Sequence, residues 1–162
     1  MRPSHDEYFM NLATAVATRS TCLRRAVGCV LINDRHRIIA TGYNGVTAGQ
    51  PHCNWVLEMP MFYDGPGYMG EVDRHPHACP GATEPSGQGL DKCAAIHAEQ
   101  NALVWCREPD AIYTAYVTTE PCVSCTKLLL GTPCHRIVYG ERYASGGIEL
   151  WQAAGREALL YG

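Results

Sequence analysis

Two short motifs constrain the fold of this chain more than any other feature of its 162 residues. One is His97-x-Glu99 and the other is Cys122-x-x-Cys125. Each lies near the start of a segment with helical character, and an apolar, strand-like run separates the two. Either motif alone is weak evidence, but the ordered pair is specific for a metal site. The fold must therefore bring the starts of two helices together beside one strand.

The residue types in the two motifs indicate a catalytic zinc site. Cys122 and Cys125 are three residues apart and share one helical face, where a helix N-terminus favours thiolates. With His97 they give three protein ligands and leave a fourth tetrahedral position for water, as in catalytic zinc sites. Glu99 does not point the same way as His97, so we expect a general base and acid there, not a ligand. Zinc-dependent nucleobase deaminases have this pattern.

The hydrophobic pattern predicts one α/β domain over residues 1–162. A first amphipathic helix is expected over 6–18, followed by a β-hairpin of strands 26–32 and 38–43. Further along, we expect a well-buried helix over 94–105, a strand over 115–119, a helix from 121 to before 133, a strand over 136–140 and a last helix over 148–158. Strands alternating with helices after a hairpin imply a layered fold with a mixed sheet.

Charge and cysteine content exclude several classes of function. Thirteen Lys and Arg against sixteen Asp and Glu give a net charge of −3, the wrong sign for binding long nucleic acid. No apolar stretch reaches membrane-spanning length, and the N-terminus is too polar for a signal peptide. We therefore expect a cytoplasmic protein without a membrane partner, in the host cytoplasm if the source is a virus. In that reducing environment nine cysteines favour metal binding over disulfides.

Motifs spread along nearly the whole chain support a family resemblance. They are Arg19-Ser20-Thr21-Cys22, Val27-Gly28, Gly42-Tyr43-Asn44-Gly45, His52-Cys53, His97-Ala98-Glu99-Gln100-Asn101-Ala102 and Pro121-Cys122-Val123-Ser124-Cys125. With these motifs in family order, the chain resembles the cytidine and deoxycytidylate deaminase superfamily, and most closely its deoxycytidylate (dCMP) deaminases. The resemblance implies a three-layer cytidine-deaminase-like fold, with a central mixed sheet of about five strands and helices on both faces. It also implies hydrolysis of dCMP to dUMP and ammonia, which supplies dUMP for dTTP synthesis.

The resemblance also implies substrate and effector contacts. Asn44 would contact the substrate sugar, and Tyr143 would lie near the pyrimidine. The Gly42, Tyr43, Asn44 and Gly45 segment resembles part of a regulatory site that binds dCTP as activator and dTTP as inhibitor. Mg²⁺ is the cation that would accompany such a triphosphate. A simple Asn-Gly turn and ordinary aromatic core packing are the alternative explanations.

A dense basic group precedes the first predicted strand. Arg19, Ser20 and Thr21 are candidates for binding the 5′-phosphate of the substrate, and Arg24 and Arg25 for binding the effector triphosphate. The residue types do not separate these two roles. Exposed charges of this kind are also often only solvated.

An insertion at about residues 46–93 is rich in Gly and Pro and has no sustained periodicity. The resemblance brings Cys22 near Cys53, where some family members hold a second, structural zinc. Its candidate ligands are Cys22, Cys53, Cys79 and Cys93, with His75 or His77 as alternates. Such a site would order the insertion, although cysteines also serve as small apolar core residues. The resemblance further implies a homo-oligomer, most simply a hexamer.

Three alternatives remain open from the sequence. The first is another zinc deaminase, acting on tRNA adenosine, on a riboflavin precursor or on single-stranded DNA; the acidic charge balance disfavours the polynucleotide substrates. The second is a non-catalytic zinc-binding module, in which Glu99 would be dispensable. The third is a thiol oxidoreductase that uses Cys122 and Cys125 and contains no zinc.

Overall fold

The structure is a computed structural model that describes residues 1–54, 79–85, 87–89, 92–143 and 145–162. Five strands form one mixed sheet in the order β2-β1-β3-β4-β5. The strands are β1 (Gly28–Ile32), β2 (Ile38–Tyr43), β3 (Thr114–Thr119), β4 (Arg136–Glu141) and β5 (Glu157–Leu160). β1 is antiparallel to both β2 and β3, whereas β3, β4 and β5 are mutually parallel. This confirms the predicted mixed sheet and the predicted hairpin.

Helices cover both faces of this sheet, which confirms the predicted layered fold. The helices are α1 (His5–Ala17), α2 (Ala98–Trp105), α3 (Val123–Leu130) and α4 (Gly147–Ala153). The Ser4 hydroxyl caps α1 by accepting a hydrogen bond from the Glu7 amide, at 3.1 Å. None of the described helices has the length and apolar character needed to cross a membrane.

Alternation along the buried strands divides the core into two layers. On β1, Val30 and Ile32 face α1, whereas Cys29 and Leu31 face the opposite layer. The α1 layer contains Phe9, Met10, Ala13, Val30, Ile32, Tyr116 and Val138. The larger layer packs α2, α3 and α4 against the other face of the sheet, with Trp151 fully buried at its centre.

Two glycines permit the close approach of helices to the sheet. A side chain at Gly28 would collide with the Ala13 carbonyl of α1. A side chain at Gly42 would collide with the Ala98 carbonyl and the Ala102 amide of α2. The second contact presses the start of α2 against the end of β2, where the candidate site lies.

Three predicted helices are shorter than expected, and one of them is α3, which covers Val123–Leu130 within the predicted range from 121 to before 133. α2 begins at Ala98 instead of residue 94, because Ile96 is extended and forms an antiparallel bridge with Gly45. Its C-terminal end is also exposed rather than well buried, as Trp105 is 73% exposed. The last helix ends at Ala153, because Gly155 adopts a φ of 75° and the chain then forms β5 instead.

Replacement of Asp6 by Asn is expected to destabilise the fold. Asp6 accepts two hydrogen bonds from the Arg136 guanidinium, at 2.7 and 2.9 Å, and one from the Tyr116 hydroxyl, at 2.8 Å. These contacts tie the first turn of α1 to β3 and β4. We expect a loss of about 1–2 kcal/mol in the free energy of unfolding at pH 7, measured by urea denaturation. Glu157→Gln, which removes an exposed partner of the same Arg136, is the matched control and should cost less.

The same contact predicts a pH dependence of stability. The hydrogen bonds from Arg136 hold the pKa of Asp6 below its usual value of 3.8, against the effect of burial. A carboxyl whose pKa is lowered by folding stabilises the fold above its unfolded pKa and loses that contribution as the pH falls. The stability difference between wild type and Asp6→Asn should therefore shrink as the pH drops below about 4. Equal stabilities at pH 7 would contradict the assignment.

Candidate metal centre and cleft

The two motifs lie at the N-termini of α2 and α3, next to the end of β3. His97 is the N-cap residue of α2: its carbonyl accepts from the Asn101 amide at 2.9 Å, and its amide donates to the Gln100 side chain at 3.1 Å. Cys122 is the N-cap residue of α3, and its carbonyl accepts from the Thr126 amide at 2.8 Å. These caps direct both side chains out of the helix starts and towards each other.

His97, Cys122 and Cys125 form a compact group that fits a zinc ion. The Nδ1 atom of His97 lies 3.5 Å from the Cys122 sulfur and 3.4 Å from the Cys125 sulfur. Tetrahedral zinc, with bonds of about 2.0 Å to nitrogen and 2.3 Å to sulfur, holds these atoms about 3.5 Å apart. Within the described part of the chain, no other group of three such side chains brings its ligand atoms within 4.8 Å of one another.

Hydrogen-bond contacts link His97 to both cysteines, and the three groups share protons across them. Hydrogen bonds from Cys125 and His97 outweigh burial and lower the pKa of Cys122 to about 4. The hydrogen bond to Cys122 raises the pKa of His97, and the bond to Cys122 together with burial raises the pKa of Cys125 far above its usual range. A divalent cation would replace these shared protons and satisfy all three groups at once.

Glu99 lies beside this group and is almost completely buried. The residue is 4% exposed, and its carboxyl lies close enough to Cys125 for the two groups to affect each other's pKa. Burial raises the pKa of the Glu99 carboxyl. A buried carboxyl next to a metal-binding group, at the wall of a cleft, has the position and chemistry of a proton-transfer residue.

A single cleft gathers many of the residues singled out from the sequence. The metal-binding group lines it through His97 and Cys122, and Glu99 lies next to them. The same cleft is lined by Asn44, Tyr143, Arg24, Arg25, Cys22 and Cys93. Arg19 and Thr21 do not line it.

Asn44 connects three backbone segments at the edge of the cleft. Its side-chain oxygen accepts from the Val27 amide at 2.8 Å, and its side-chain nitrogen donates to the Arg25 carbonyl at 2.7 Å. The Ser20 hydroxyl in turn donates to the Asn44 carbonyl at 2.8 Å. Asn44 and Ser20 thus fix the loop that carries Arg24 and Arg25. This structural role of Asn44 and Ser20 does not depend on a ligand.

The two arginines have different surroundings. Arg24 donates to the carbonyls of Gln88, at 2.6 Å, and Pro85, at 3.3 Å, and so fastens part of the insertion to the cleft wall. The Arg25 guanidinium lies over the Tyr143 ring, 5.3 Å from its centroid. Its Nη1 atom is buried and has no hydrogen-bond partner among the described residues.

The remaining sequence candidates lie outside the metal-binding group. Gly42 lies under α2, Gly45 pairs with Ile96, and Tyr43 is 37% exposed. Cys53 and Cys79 are buried in one small cluster, with the partly buried Cys93 packed against them. His75 and His77 lie outside the described residues, as does most of the predicted insertion.

Several residues of the cleft were not predicted from the sequence, and two of them, Glu120 and Gly87, lie against Tyr143. Glu120 is 7% exposed and stands between β3 and the Pro121-Cys122 turn. A charged residue at the end of an apolar strand, directly before a metal motif, was the available signal. Gly87 lies in the aperiodic insertion, where no pattern in the sequence distinguishes it.

Comparisons with known proteins agree with this geometry. The family profile described as the cytidine and deoxycytidylate deaminase zinc-binding region matches residues 3–141. A deoxycytidylate deaminase of Mycobacterium phage D29 is 42% identical over 139 residues, which cover 85% of this chain and 95% of the relative. That of Saccharomyces cerevisiae is 35% identical over 146 residues, which cover 88% of this chain but only 39% of the relative.

A solved structure shares the fold. The dCMP deaminase of cyanophage S-TIM5, in complex with dCMP and dUMP, matches 99% of both chains with a TM-score of 0.67 and 23% identity. The profile match spans most of the chain and includes both metal motifs. The resemblance inferred from the sequence is confirmed: this chain belongs to the zinc-binding family of cytidine and deoxycytidylate deaminases.

Proposed function

We propose that this protein hydrolyses dCMP to dUMP and ammonia, and so supplies dUMP for dTTP synthesis. The observation that carries the proposal is the buried Glu99 carboxyl next to the His97, Cys122 and Cys125 group in an open cleft. The relatives named deoxycytidylate deaminase support dCMP as the substrate, and the phage relative is matched over nearly its whole length.

The chemistry follows from the residues of the cleft. A zinc ion held by His97, Cys122 and Cys125 would lower the pKa of a water molecule and so supply a nucleophile near neutral pH. Glu99 takes a proton from the attacking water and gives it to the ring nitrogen next to the amino-bearing carbon. The water oxygen bonds to that carbon, Glu99 takes the remaining proton from this oxygen and gives it to the amino group, and the carbon–nitrogen bond breaks. Ammonia leaves, and the ring keeps a carbonyl oxygen.

The 5′-phosphate would be bound by Arg25. The buried Nη1 atom of Arg25 has no hydrogen-bond partner among the described residues and lies 3.7 Å from the exposed Glu141 carboxylate, so a ligand that accepts a hydrogen bond there would stabilise it. A guanidinium also recognises phosphate through several parallel hydrogen bonds. Arg24 is already hydrogen-bonded to the insertion, and Arg19 does not line the cleft. Arg25 is therefore the stronger candidate for distinguishing a nucleotide from a nucleoside.

Ammonia release tests this proposal with dCMP, dCTP and deoxycytidine in parallel, together with a zinc determination. We expect turnover of dCMP and a kcat/KM at least about 100-fold lower for deoxycytidine, because deoxycytidine lacks the charged group that Arg25 would bind. No turnover of any of the three by zinc-loaded protein would reject dCMP and direct attention to other deaminase substrates.

A second, structural zinc is proposed at the cysteine cluster. Cys53 and Cys79 are 1% and 2% exposed, and burial with the neighbouring thiols raises the pKa of Cys53 to about 12. Thiols that are buried together beside an aperiodic segment are typical of a site that folds around a metal. The four sulfurs of Cys22, Cys53, Cys79 and Cys93 do not form a group as compact as the one at His97.

Metal counting on a cysteine variant tests the second site. We expect two zinc ions per chain in the wild type, and one in Cys53→Ser with lower thermal stability, since a hydroxyl is a poor zinc ligand. Cys29→Ser is the control, because Cys29 is also fully buried but lies in the main core. One zinc per wild-type chain would refute the second site.

Regulation and assembly are proposed from the family resemblance. dCTP would activate and dTTP inhibit, each with Mg²⁺ on its triphosphate, at a site that includes Gly42, Tyr43, Asn44 and Gly45. The protein would be a homo-oligomer, a hexamer in the simplest case. Steady-state rates with each effector, with sedimentation velocity on the same samples, test both points. A monomer indifferent to both nucleotides would contradict them.

A further inference from the structure

Glu120 is a buried carboxyl in the cleft that the proposed reaction does not use. It follows β3 directly and precedes Pro121 and the metal ligand Cys122. Only 7% of it is exposed. Burying a carboxyl costs free energy unless hydrogen bonds satisfy it, so the contacts of Glu120 indicate its role.

The hydrogen bonds of Glu120 to described residues join it to the end of β4 and to the loop that follows. Its Oε2 atom accepts a hydrogen bond from the Tyr143 amide at 3.1 Å, and its own amide donates to the Glu141 carbonyl at 2.7 Å. Next to it, the Pro121 carbonyl accepts from the Ser145 hydroxyl at 3.0 Å. The turn that positions Cys122 therefore also fixes the backbone on both sides of Tyr143.

Tyr143 is in turn enclosed by two groups of the cleft. One face of its ring meets the Arg25 guanidinium, 5.3 Å from the ring centroid. Its hydroxyl lies so close to Gly87 that a side chain there would collide with it, and Gly87 adopts a φ of 84°. Among the described residues, the Nη1 atom of Arg25 forms an ion pair with the Glu141 carboxylate at 3.7 Å but no hydrogen bond.

We infer that Glu120 is a positioning residue that sets the affinity for the phosphate end of the substrate. It holds the backbone of Tyr143, the Tyr143 ring supports the Arg25 guanidinium, and Arg25 keeps a buried donor directed at the ligand. Glu120 takes no part in proton transfer. This inference rests on the proposed function, because it assigns a task to Arg25 in binding a nucleotide 5′-phosphate.

Kinetics of two Glu120 variants test the inference. Glu120→Ala removes the acceptor for the Tyr143 amide, and we expect KM for dCMP to rise about tenfold while kcat stays within about threefold. Glu120→Gln keeps an acceptor oxygen of the same reach, so KM should return to within about threefold of the wild type. Zinc content should be unchanged in both variants. Calorimetry should show that Glu120→Ala binds dUMP more weakly than the wild type and that Glu120→Gln binds it nearly as well.

A second variant and a control separate this role from general destabilisation. Gly87→Ala would place a methyl group against the Tyr143 hydroxyl, at a φ of 84° that also strains alanine, and it should raise KM for dCMP in the same way with little change in kcat. Glu149→Gln changes an exposed carboxyl on α4 that does not line the cleft, and it should leave KM within about twofold.

The outcomes also distinguish this inference from the proposed function. If the wild type does not turn over dCMP or bind dUMP, the proposed function fails. If the wild type is active and Glu120→Ala has an unchanged KM, or loses kcat and zinc instead, the positioning role is wrong. A Glu120→Gln variant as impaired as Glu120→Ala would also overturn it, because the amide should replace the acceptor.

Discussion

Glu99→Gln is expected to keep its zinc and to lower kcat for dCMP by about 10²- to 10⁴-fold, the range that general acid–base catalysis contributes. The amide has the shape of the carboxyl but cannot take a proton from water and return it to the ring nitrogen and the amino group. The side chain is 4% exposed, and burial already disfavours its charge, so the neutral amide should fit the site. Ammonia release under saturating dCMP and a zinc determination measure the two effects.

The control for this variant is Glu149→Gln on the exposed surface of α4, which should have wild-type activity. Near-normal turnover by Glu99→Gln would show that another group transfers the protons. Loss of zinc from Glu99→Gln would show that Glu99 maintains the metal site instead. The same experiment separates an enzyme from a zinc-binding module, since a module would not need the carboxyl.

The strands and the metal motif could be predicted because their signals are local. A continuous apolar run indicates β1, and the Cys-x-x-Cys spacing indicates two sulfurs on one helical face. The start of α2 could not be predicted, because residues 94–96 have helix-forming types but Ile96 pairs with Gly45, far away in the sequence. The end of the last helix could not be predicted for a related reason, since residues 154–158 include helix-forming types but Glu157 and Ala158 pair with Arg136 and Ile137 of β4.

The contacts within the cleft could not be predicted from the sequence. Arg19 and Arg25 look equivalent in the sequence, yet only Arg25 lines the cleft, because Asn44 holds the loop between them in one conformation. The role of Glu120 depends on its hydrogen bond with the Tyr143 amide, 23 residues further along the chain. Such long-range contacts arise from the packing of the sheet and leave no periodic signal in the chain.

Cys122→Ser is expected to remove the zinc of the candidate metal centre and to lower kcat/KM for dCMP by at least about 100-fold, since changes outside the ligand set of a zinc site already cost 10- to 100-fold. The hydroxyl of Ser has nearly the shape of the thiol but does not ionise near neutral pH, whereas the pKa of Cys122 is about 4. Cys122 is also only partly buried, so the fold should tolerate the change better than a change at the fully buried Cys125.

Zinc add-back makes the Cys122→Ser result decisive. Wild-type protein stripped by a chelator should lose activity and regain it when zinc is returned, whereas Cys122→Ser should not regain it. Cys106→Ser, at the end of α2, is the control and should respond like the wild type, because Cys106 is outside the metal-binding group. Full activity of Cys122→Ser, or of the stripped wild type, would mean that the chemistry does not depend on this metal centre. In that case the fit of His97, Cys122 and Cys125 to tetrahedral zinc would describe a structural site, and the proton-transfer role of Glu99 would fall with it.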